Sequence, residues 1–177
     1  MILPDPASLR IVLYPDPILK KRCAPVTQRD GALETLAVRM LELMRNGNGI
    51  GLAAPQVGVP IRLFVCNETG EPGDDQVFIN PTFTDLTGAA EMEEGCLSIP
   101  GALVNMRRAA HAVMQALDFA GRPVEVVADD LRARVWQHES DHLDGRLIID
   151  NMSPTDEIAN RRALKQLKGG AGVVRRM

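Results

Sequence analysis

The chain has 177 residues, of which 45% are hydrophobic and 24% charged, the proportions of an ordinary globular protein. Its net charge of −3 excludes a broad electrostatic attraction to nucleic acid or membranes, so neither membrane association nor specific DNA binding is expected. No apolar run approaches membrane-spanning length, and the first residues lack the pattern of a secretory signal. The odd number of cysteines, three, argues against a disulfide framework and favours a cytoplasmic protein of one domain.

The N-terminal part of the chain is predicted to be extended, because Pro15 and Pro17 cannot lie inside a helix. From Asp30 to Arg45 apolar residues recur every three or four positions, which predicts the first helix. The run Asn46–Gly49 is rich in residues that tolerate a left-handed backbone, so we expect it to end this helix. A glycine-rich loop is predicted to follow.

The middle of the chain contains short apolar runs that predict strands at Ile61–Cys66, Val77–Asn80, Pro81–Leu86, His111–Phe119 and Val124–Val127. The last two flank Ala120-Gly121-Arg122, a sequence typical of a hairpin turn. A second helix is predicted over Leu131–Leu143, and a third from about Ser153 to Gly169. Because these elements lack the regular spacing of βαβ units, the pattern predicts an α+β fold.

The most informative segment is His138-Glu139-Ser140-Asp141-His142, within the second predicted helix. Residues four apart lie on the same face of a helix, so His138 and His142 can bind one metal ion. Glu139 follows His138 in the helix, so its side chain leaves the helix in a neighbouring direction. From there its carboxylate can reach a water activated by the metal without binding the metal itself. This is the arrangement of the general base in HExxH hydrolases.

A catalytic metal ion in such a site needs a third protein ligand and one open position. The metzincin pattern would require histidine at position 148, which is Ile148, and the nearest downstream glutamate, Glu157, follows too closely for a gluzincin. Cys96 is the remaining candidate, since it lies between glycine and proline residues that fix the backbone, and a metal favours the thiolate form. Cys23 and Cys66 lie among apolar neighbours and are predicted to be structural.

Three segments, taken together, resemble the signature motifs of the peptide deformylase family: Gly49–Gln56, Glu94–Ser98 and Gln137–Leu143. They occur in the family's order and at comparable spacing. The resemblance implies an α+β fold in which mostly antiparallel sheets pack around the central HExxH helix, with one helix before it and one after it. The resemblance covers about residues 10–165, and we expect a single catalytic domain over residues 1–168, followed by a flexible tail over residues 169–177.

The resemblance further implies the chemistry of the site. Cys96, His138 and His142 would bind one divalent metal ion per chain, and Glu139 would act as general acid and base. The family's physiological ion is ferrous iron, with zinc, nickel or cobalt as substitutes, and a thiolate with two imidazoles suits all four. The implied reaction removes the N-formyl group from formyl-methionine at the start of nascent polypeptides and releases formate, in the cytoplasm of a bacterium.

Substrate-binding residues can be assigned from the same resemblance. Gln56 and the backbone N–H of Leu97 would donate hydrogen bonds to the formyl oxygen, and Gly51 would lie along the bound peptide. An apolar pocket for the methionine side chain is expected from Ile50, Val135 and Leu131. Two positions depart from better-known members: Leu103 replaces an arginine that helps to hold the peptide, and Arg134 replaces an aliphatic residue near the methionine pocket.

Alternatives remain open from the sequence. An HExxH helix is also typical of metallopeptidases, and a non-catalytic metal-binding domain would carry the same two histidines. A further feature is the charge of residues 155–177, which is +4 against −7 for the rest of the chain. This basic segment has two interpretations: contact with the RNA phosphates of the ribosome through the last helix, or a solvated helix face followed by a frayed end.

Overall fold

The computed structural model describes residues 3–71 and 73–170. Within them lie three helices, α1 (Gly31–Asn46), α2 (Asp130–Leu143) and α3 (Pro154–Gly169). The strands, in chain order from β1 to β7, are Gly51–Ala53, Leu63–Cys66, Gln76–Thr87, Ala90–Glu94, Val104–Arg108, His111–Leu117 and Pro123–Asp129. None of the helices in these described ranges is long and apolar enough to cross a membrane.

The strands form two antiparallel sheets. Five of them pair in the order β1-β2-β3-β6-β7, and β4 pairs with β5 in a separate two-stranded sheet. Helix α2 lies centrally, with α1 before it and α3 after it in the chain. The predicted α+β class with mostly antiparallel sheets is therefore confirmed.

The larger sheet is covered on both faces, which explains the unbroken apolar run of β2. Successive side chains of a strand point to opposite faces. Leu63 and Val65 pack in one hydrophobic cluster with α1, whereas Phe64 and Cys66 pack in a second cluster with α2. A strand buried on both faces needs an apolar residue at every position, so its sequence does not alternate.

Helix α1 is bounded by recognisable signals at both ends. The Asp30 side chain accepts hydrogen bonds from the N–H groups of Ala32 and Leu33, and Gly47 follows the last helical residue. One side of the helix is fully or nearly fully buried against the sheet: Leu33, Leu36, Ala37, Met40, Leu41 and Met44. Burying a side chain of the size of Met40 stabilises the fold by about 1.5–3 kcal/mol relative to leaving it exposed.

Helix α2 is anchored to the other face of the sheet by Trp136, whose ring meets that of Phe78 edge-on at a centroid distance of 5.3 Å. Ala133 and Leu143 pack in the same cluster. Because these anchors share the helix with His138 and His142, packing of the core fixes the rotation of the helix and thus the direction of both imidazoles.

Three predictions of strands were incomplete. Residues 51–53, expected in a loop, form the edge strand β1, because pairing with β2 supplies hydrogen bonds that a run of three residues does not signal by itself. β4 and β5 were not predicted, since β4 contains three glutamates and lacks the apolar alternation of a half-buried strand. The two strands predicted on either side of Pro81 are one strand, β3, which bends through register shifts near Asn80.

Helix α3 packs against the segment that connects Cys96 to β5. The Asn160 side chain accepts a hydrogen bond from the Leu103 N–H at 2.9 Å and donates one to the Leu103 carbonyl at 2.7 Å. Leu164 and Leu167 pack against the third hydrophobic cluster, which includes Ile99 of this segment and Val104, the first residue of β5. The predicted flexible tail begins at Gly169, the last residue of α3, and residues 171–177 lie outside the described residues.

Candidate functional site

The three predicted metal ligands converge. The sulfur of Cys96 and ring nitrogens of His138 and His142 all lie within 4.8 Å of one another. The Cys96 sulfur is 3.3 Å from Nε2 of His142, and the two imidazole rings meet edge-on with centroids 5.1 Å apart. Burial, together with the neighbouring His138, holds the pKa of His142 well below its ordinary value, which keeps this ring neutral. A neutral ring with a free nitrogen is the form that binds metal.

The loop that carries Cys96 is fixed by backbone hydrogen bonds. The Ile99 N–H donates to the Cys96 carbonyl at 2.9 Å, which closes a tight turn directly after the cysteine. The Ser98 carbonyl accepts a hydrogen bond from the Tyr14 N–H at 2.9 Å, so the N-terminal segment holds the outer side of the loop. Ile99 is fully buried and anchors the turn in the core.

The other two cysteines have different surroundings. Cys23 and Cys66 are buried in the cluster between the larger sheet and α2. Burial raises the pKa of Cys23 to about 11 and raises that of Cys66 further. Since the thiolate is the form that binds metal, these two thiols are poor ligands where they lie.

His138 is oriented by a buried carboxylate. Its Nδ1 lies 2.9 Å from Oε2 of Glu94, which leaves Nε2 directed to the cluster of ligands. Arg108 forms two hydrogen bonds to the same carboxylate, at 2.6 and 2.9 Å, and a third to Asp141 on α2. Burial disfavours ionisation of Glu94, but the hydrogen bonds from His138 and Arg108 outweigh it and lower its pKa to about 2. A carboxylate on the second nitrogen is the usual partner of a metal-binding histidine.

Arg134 belongs to this network. It lies four residues before His138, at one of the two positions where the sequence departs from better-known family members. Its guanidinium donates to Glu94 at 2.6 Å and to the carbonyls of Ala90 and Met106 at 2.7 and 3.0 Å. Glu94, Arg108 and Arg134 were not predicted as site residues, because their pairing joins positions up to 40 residues apart and no local pattern signals it.

Glu139 lies beside the candidate ligands with its carboxyl group buried. Oε1 lies against Gly51, and no donor in the described part of the chain is within hydrogen-bonding distance of Oε2. Burial raises the pKa of Glu139 to about 7, partly offset by the nearby His138 and Arg108. A carboxyl group with a pKa near neutrality can both accept and donate a proton during one reaction.

Gly51 leaves room for this carboxyl group. A Cβ at Gly51 would overlap Oε1 of Glu139, although the backbone there does not adopt the left-handed conformation that alanine resists. We therefore expect Gly51→Ala to displace the carboxyl group and to lower kcat by about 10–10²-fold. Measured turnover and thermal unfolding check this expectation. Gly31→Ala is the matched control, since nothing lies within 4 Å of a Cβ there, and wild-type turnover of Gly51→Ala would contradict the assigned contact.

Gln56 is held with its amide NH₂ group towards the cluster. Its Oε1 accepts a hydrogen bond from the Ala53 N–H at 2.8 Å, which fixes the orientation of the amide. Its Nε2 lies 3.2 Å from Oγ of Ser98 and 3.5 Å from the Cys96 sulfur. The buried amide can therefore donate a hydrogen bond to a polar group bound beside Cys96. Ser98, a partner that was not predicted, belongs to the same motif as Cys96.

Leu97 follows Cys96 directly in the chain. Its side chain lies over Gly47 and Gly49, where a Cβ would come within 2.9 and 2.7 Å of the leucine methyl carbons. Within the described ranges the Leu97 N–H has no hydrogen-bond acceptor in the protein. A backbone donor without a partner is available to a bound oxygen atom.

The predicted methionine-pocket residues differ in their surroundings. Val135 is buried among the core residues of α2, whereas Ile50 and Leu131 are each 40% exposed at the surface. Leu103 is exposed, while its backbone is held by α3. That Ile50, Val135 and Leu131 form one pocket stays a prediction.

Comparison with known proteins places this site in context. A sequence profile for polypeptide deformylases matches residues 8–157. The peptide deformylase of Alkalilimnicola ehrlichii is 47% identical over 163 residues, which cover 91% of this chain and 91% of its own. That of Thermodesulfovibrio yellowstonii is 43% identical over 164 residues, which cover 92% of this chain and 99% of its own. A crystal structure of a peptide deformylase from Legionella pneumophila aligns with a TM-score of 0.87 at 38% identity, covering 96% of this chain and all of its own. Sequence and fold are thus similar to one family over nearly the whole chain.

Proposed function

The chain belongs to the polypeptide deformylase family, and we propose that Cys96, His138 and His142 are its metal ligands and Glu139 its general base. It hydrolyses the N-formyl group of formyl-methionine at the start of nascent polypeptides and releases formate. The observation that carries the residue assignment is the convergence of one thiol and two imidazoles beside a buried carboxyl group of raised pKa. This favours a deformylase over the metallopeptidase and the non-catalytic domain that an HExxH helix alone would allow.

The donor set fits one divalent metal ion per chain. A thiolate with two imidazoles suits iron, zinc, cobalt or nickel, and three protein ligands leave an open position for substrate. Ferrous iron is the proposed physiological ion, with the other three as substitutes. When bound, such an ion makes water acidic enough to supply hydroxide near neutral pH and polarises the carbonyl group that is attacked.

The proposed roles of the chain's own groups follow the course of hydrolysis. Glu139 accepts a proton from the attacking water as the water oxygen bonds to the formyl carbon, and it delivers that proton to the amine nitrogen as the C–N bond breaks. The amide of Gln56 and the N–H of Leu97 donate hydrogen bonds to the formyl oxygen, where negative charge develops. One such donor stabilises the transition state by about 3 kcal/mol.

The edge of the larger sheet is the proposed binding surface for the peptide. β1 pairs with β2 on one side only in the described residues, so its other side can pair with an extended chain. Gly51 lies on this strand, and because it has no side chain the carboxyl group of Glu139 can lie directly beside the proposed path of the peptide. Ile50, Val135 and Leu131 are the proposed pocket for the methionine side chain.

Substrate preference tests the function. Formate release from a formyl-Met peptide, by protein purified anaerobically and of measured metal content, is expected to exceed acetate release from the acetylated peptide by about 10²-fold or more. The acetyl methyl group would crowd the attacked carbon, which the site must hold in a narrow geometry. Equal rates on both peptides, or faster cleavage of an internal peptide bond, would instead favour a metallopeptidase.

Docking on the ribosome through α3 is a further part of the proposal. Arg161, Arg162 and Lys165 are exposed, as is Ile158 on the same side of the helix, while Asn160 faces the fold. Ribosomal RNA offers phosphates to such a surface. Arg175 and Arg176, which belong to the same basic segment, lie outside the described residues.

We expect replacement of Arg161, Arg162 and Lys165 by glutamine to reduce co-sedimentation with ribosomes at low salt, with activity on a free formyl-Met peptide intact. The matched control replaces Arg10, Lys21 and Arg22, three exposed basic residues of the N-terminal segment. Equal sedimentation of the two charge-depleted proteins would contradict docking through α3.

A cytoplasmic location in a bacterium completes the proposal. It is supported by three unpaired cysteines, which a reducing compartment preserves, and by bacterial relatives that match most of the chain.

A further inference from the structure

The proposed metal ligands come from two separate parts of the fold. His138 and His142 lie on α2, which the larger sheet anchors, whereas Cys96 follows β4 of the two-stranded sheet. In the described residues, β4 and β5 pair only with each other and with no strand of the larger sheet. Hydrogen bonding between strands therefore does not set the distance between the cysteine and the histidines.

Among the side chains that join α2 to the two-stranded sheet, Arg134 makes hydrogen bonds to both of its strands. Arg134 lies on α2, one helical turn before His138, and is only 5% exposed. Its Nη1 donates to Oε1 of Glu94 and to the Met106 carbonyl, and its Nη2 donates to the Ala90 carbonyl at 2.7 Å. One guanidinium thus joins α2 to both strands of the small sheet.

Glu94 continues the connection to the ligands. It is the last residue of β4, two positions before Cys96, and its other oxygen holds Nδ1 of His138 at 2.9 Å. Arg108 binds both oxygens of the same carboxylate, so four donors surround it. The two arginines differ in their other partners. The Arg134 side chain donates hydrogen bonds to backbone carbonyls of both β4 and β5, whereas the Arg108 side chain donates to carboxylates.

We propose that Arg134 is a positioning residue that sets the placement of Cys96 relative to His138 and so determines how tightly the site binds its metal ion. This inference rests on the metal site proposed above. It assigns to Arg134 a part in metal affinity rather than in recognition of the methionine side chain.

The test is titration of the metal-free protein with Co²⁺ in competition with a chelator. Arg134→Met keeps an aliphatic stem of similar length and removes the guanidinium, and we expect its affinity for Co²⁺ to fall by about 10–100-fold. Arg134→Lys keeps the charge, but one ammonium group cannot reproduce the planar, forked set of donors. We expect the lysine variant to remain at least about tenfold weaker than wild type.

A control separates positioning from general stability. Arg62 is also partly buried, and its hydrogen bonds go to Asp144, the residue after α2, and to the Pro81 carbonyl rather than to Glu94 or to the proposed ligands. Arg62→Met is expected to lower the unfolding temperature and leave the affinity for Co²⁺ unchanged. If Arg134→Met only lowers the unfolding temperature in the same way, or if Arg134→Lys binds Co²⁺ like wild type, the proposal is overturned.

A double-mutant cycle tests the route through Glu94. The effect of Arg134→Met on Co²⁺ affinity, expressed as the logarithm of the fold-change, is compared in the wild type and in a Glu94→Gln background. We expect the effect in the Glu94→Gln background to be less than half of that in the wild type, because the main acceptor of Arg134 has lost its charge. Full additivity would overturn the proposed route. Failure of the metal site itself has a different signature, since Cys96→Ala would then bind Co²⁺ as tightly as wild type. Should Arg134→Met not fold, the same cycle with Arg134→Lys decides the question.

Discussion

Glu139→Gln is expected to lower kcat on a formyl-Met peptide by at least about 10²-fold while the protein keeps its metal ion. Glutamine has nearly the same shape as glutamate, so the contact with Gly51 and the packing of α2 are preserved. The amide cannot accept the proton of the attacking water or return it to the leaving amine. Formate release and metal content, measured on the same anaerobic preparation, check both halves of the expectation.

The control for this variant is Glu42→Gln, which removes an exposed carboxylate paired with Arg39 on α1. Its turnover should equal that of the wild type. Turnover of Glu139→Gln within a fewfold of the wild type would exclude Glu139 as the proton acceptor, whatever its metal content.

Cys96→Ala is expected to remove both the metal ion and the activity. Three protein ligands leave none to spare, and the remaining histidines alone bind a divalent ion far more weakly. Metal content after desalting, together with formate release, measures the effect. His142→Ala should behave in the same way, because its Nε2 lies 3.3 Å from the cysteine sulfur.

Cys23→Ala is the matched control, since it removes a buried thiol from the core rather than from the cluster. It should bind metal stoichiometrically, although its unfolding temperature can fall. A Cys96→Ala protein that retains one metal ion per chain and full activity would show that the ligand assignment is wrong.

The sequence was most informative where chemistry follows local periodicity. Two histidines four apart on a predicted helix must share a face, so their convergence on one ion required no knowledge of the tertiary fold. Cys96 was predicted as the third ligand because no histidine or glutamate lies at the spacing that metzincins or gluzincins require. In the structure its sulfur lies within 4.8 Å of a ring nitrogen of each imidazole. That these three residues bind metal, and that Glu139 is the base, stay predictions for the experiments above.

What the sequence could not supply are contacts between distant segments. Glu94 could be seen as part of a motif, but its hydrogen bonds to His138 and Arg134 exist only because β4 folds beside α2. Strand β1 could not be predicted for the same reason, since its three residues form a strand only through pairing with β2. The hydrogen bonds of Arg134 could not be predicted for the same reason: its position on the helix was evident, while the direction of its guanidinium depends on acceptors from two strands that were not predicted.

The hydrogen bonds between Asn160 and Leu103 have a consequence for the order in which the enzyme is completed during its own synthesis. The sulfur-bearing loop is translated first, yet the backbone of Leu103 obtains both partners only from a helix made more than fifty residues later. A ribosome-bound copy that still lacks α3 therefore has this segment without the hydrogen bonds of Asn160 to Leu103. In the order of synthesis, this segment therefore gains its contacts with α3 only after α2, which carries His138 and His142, has already been made.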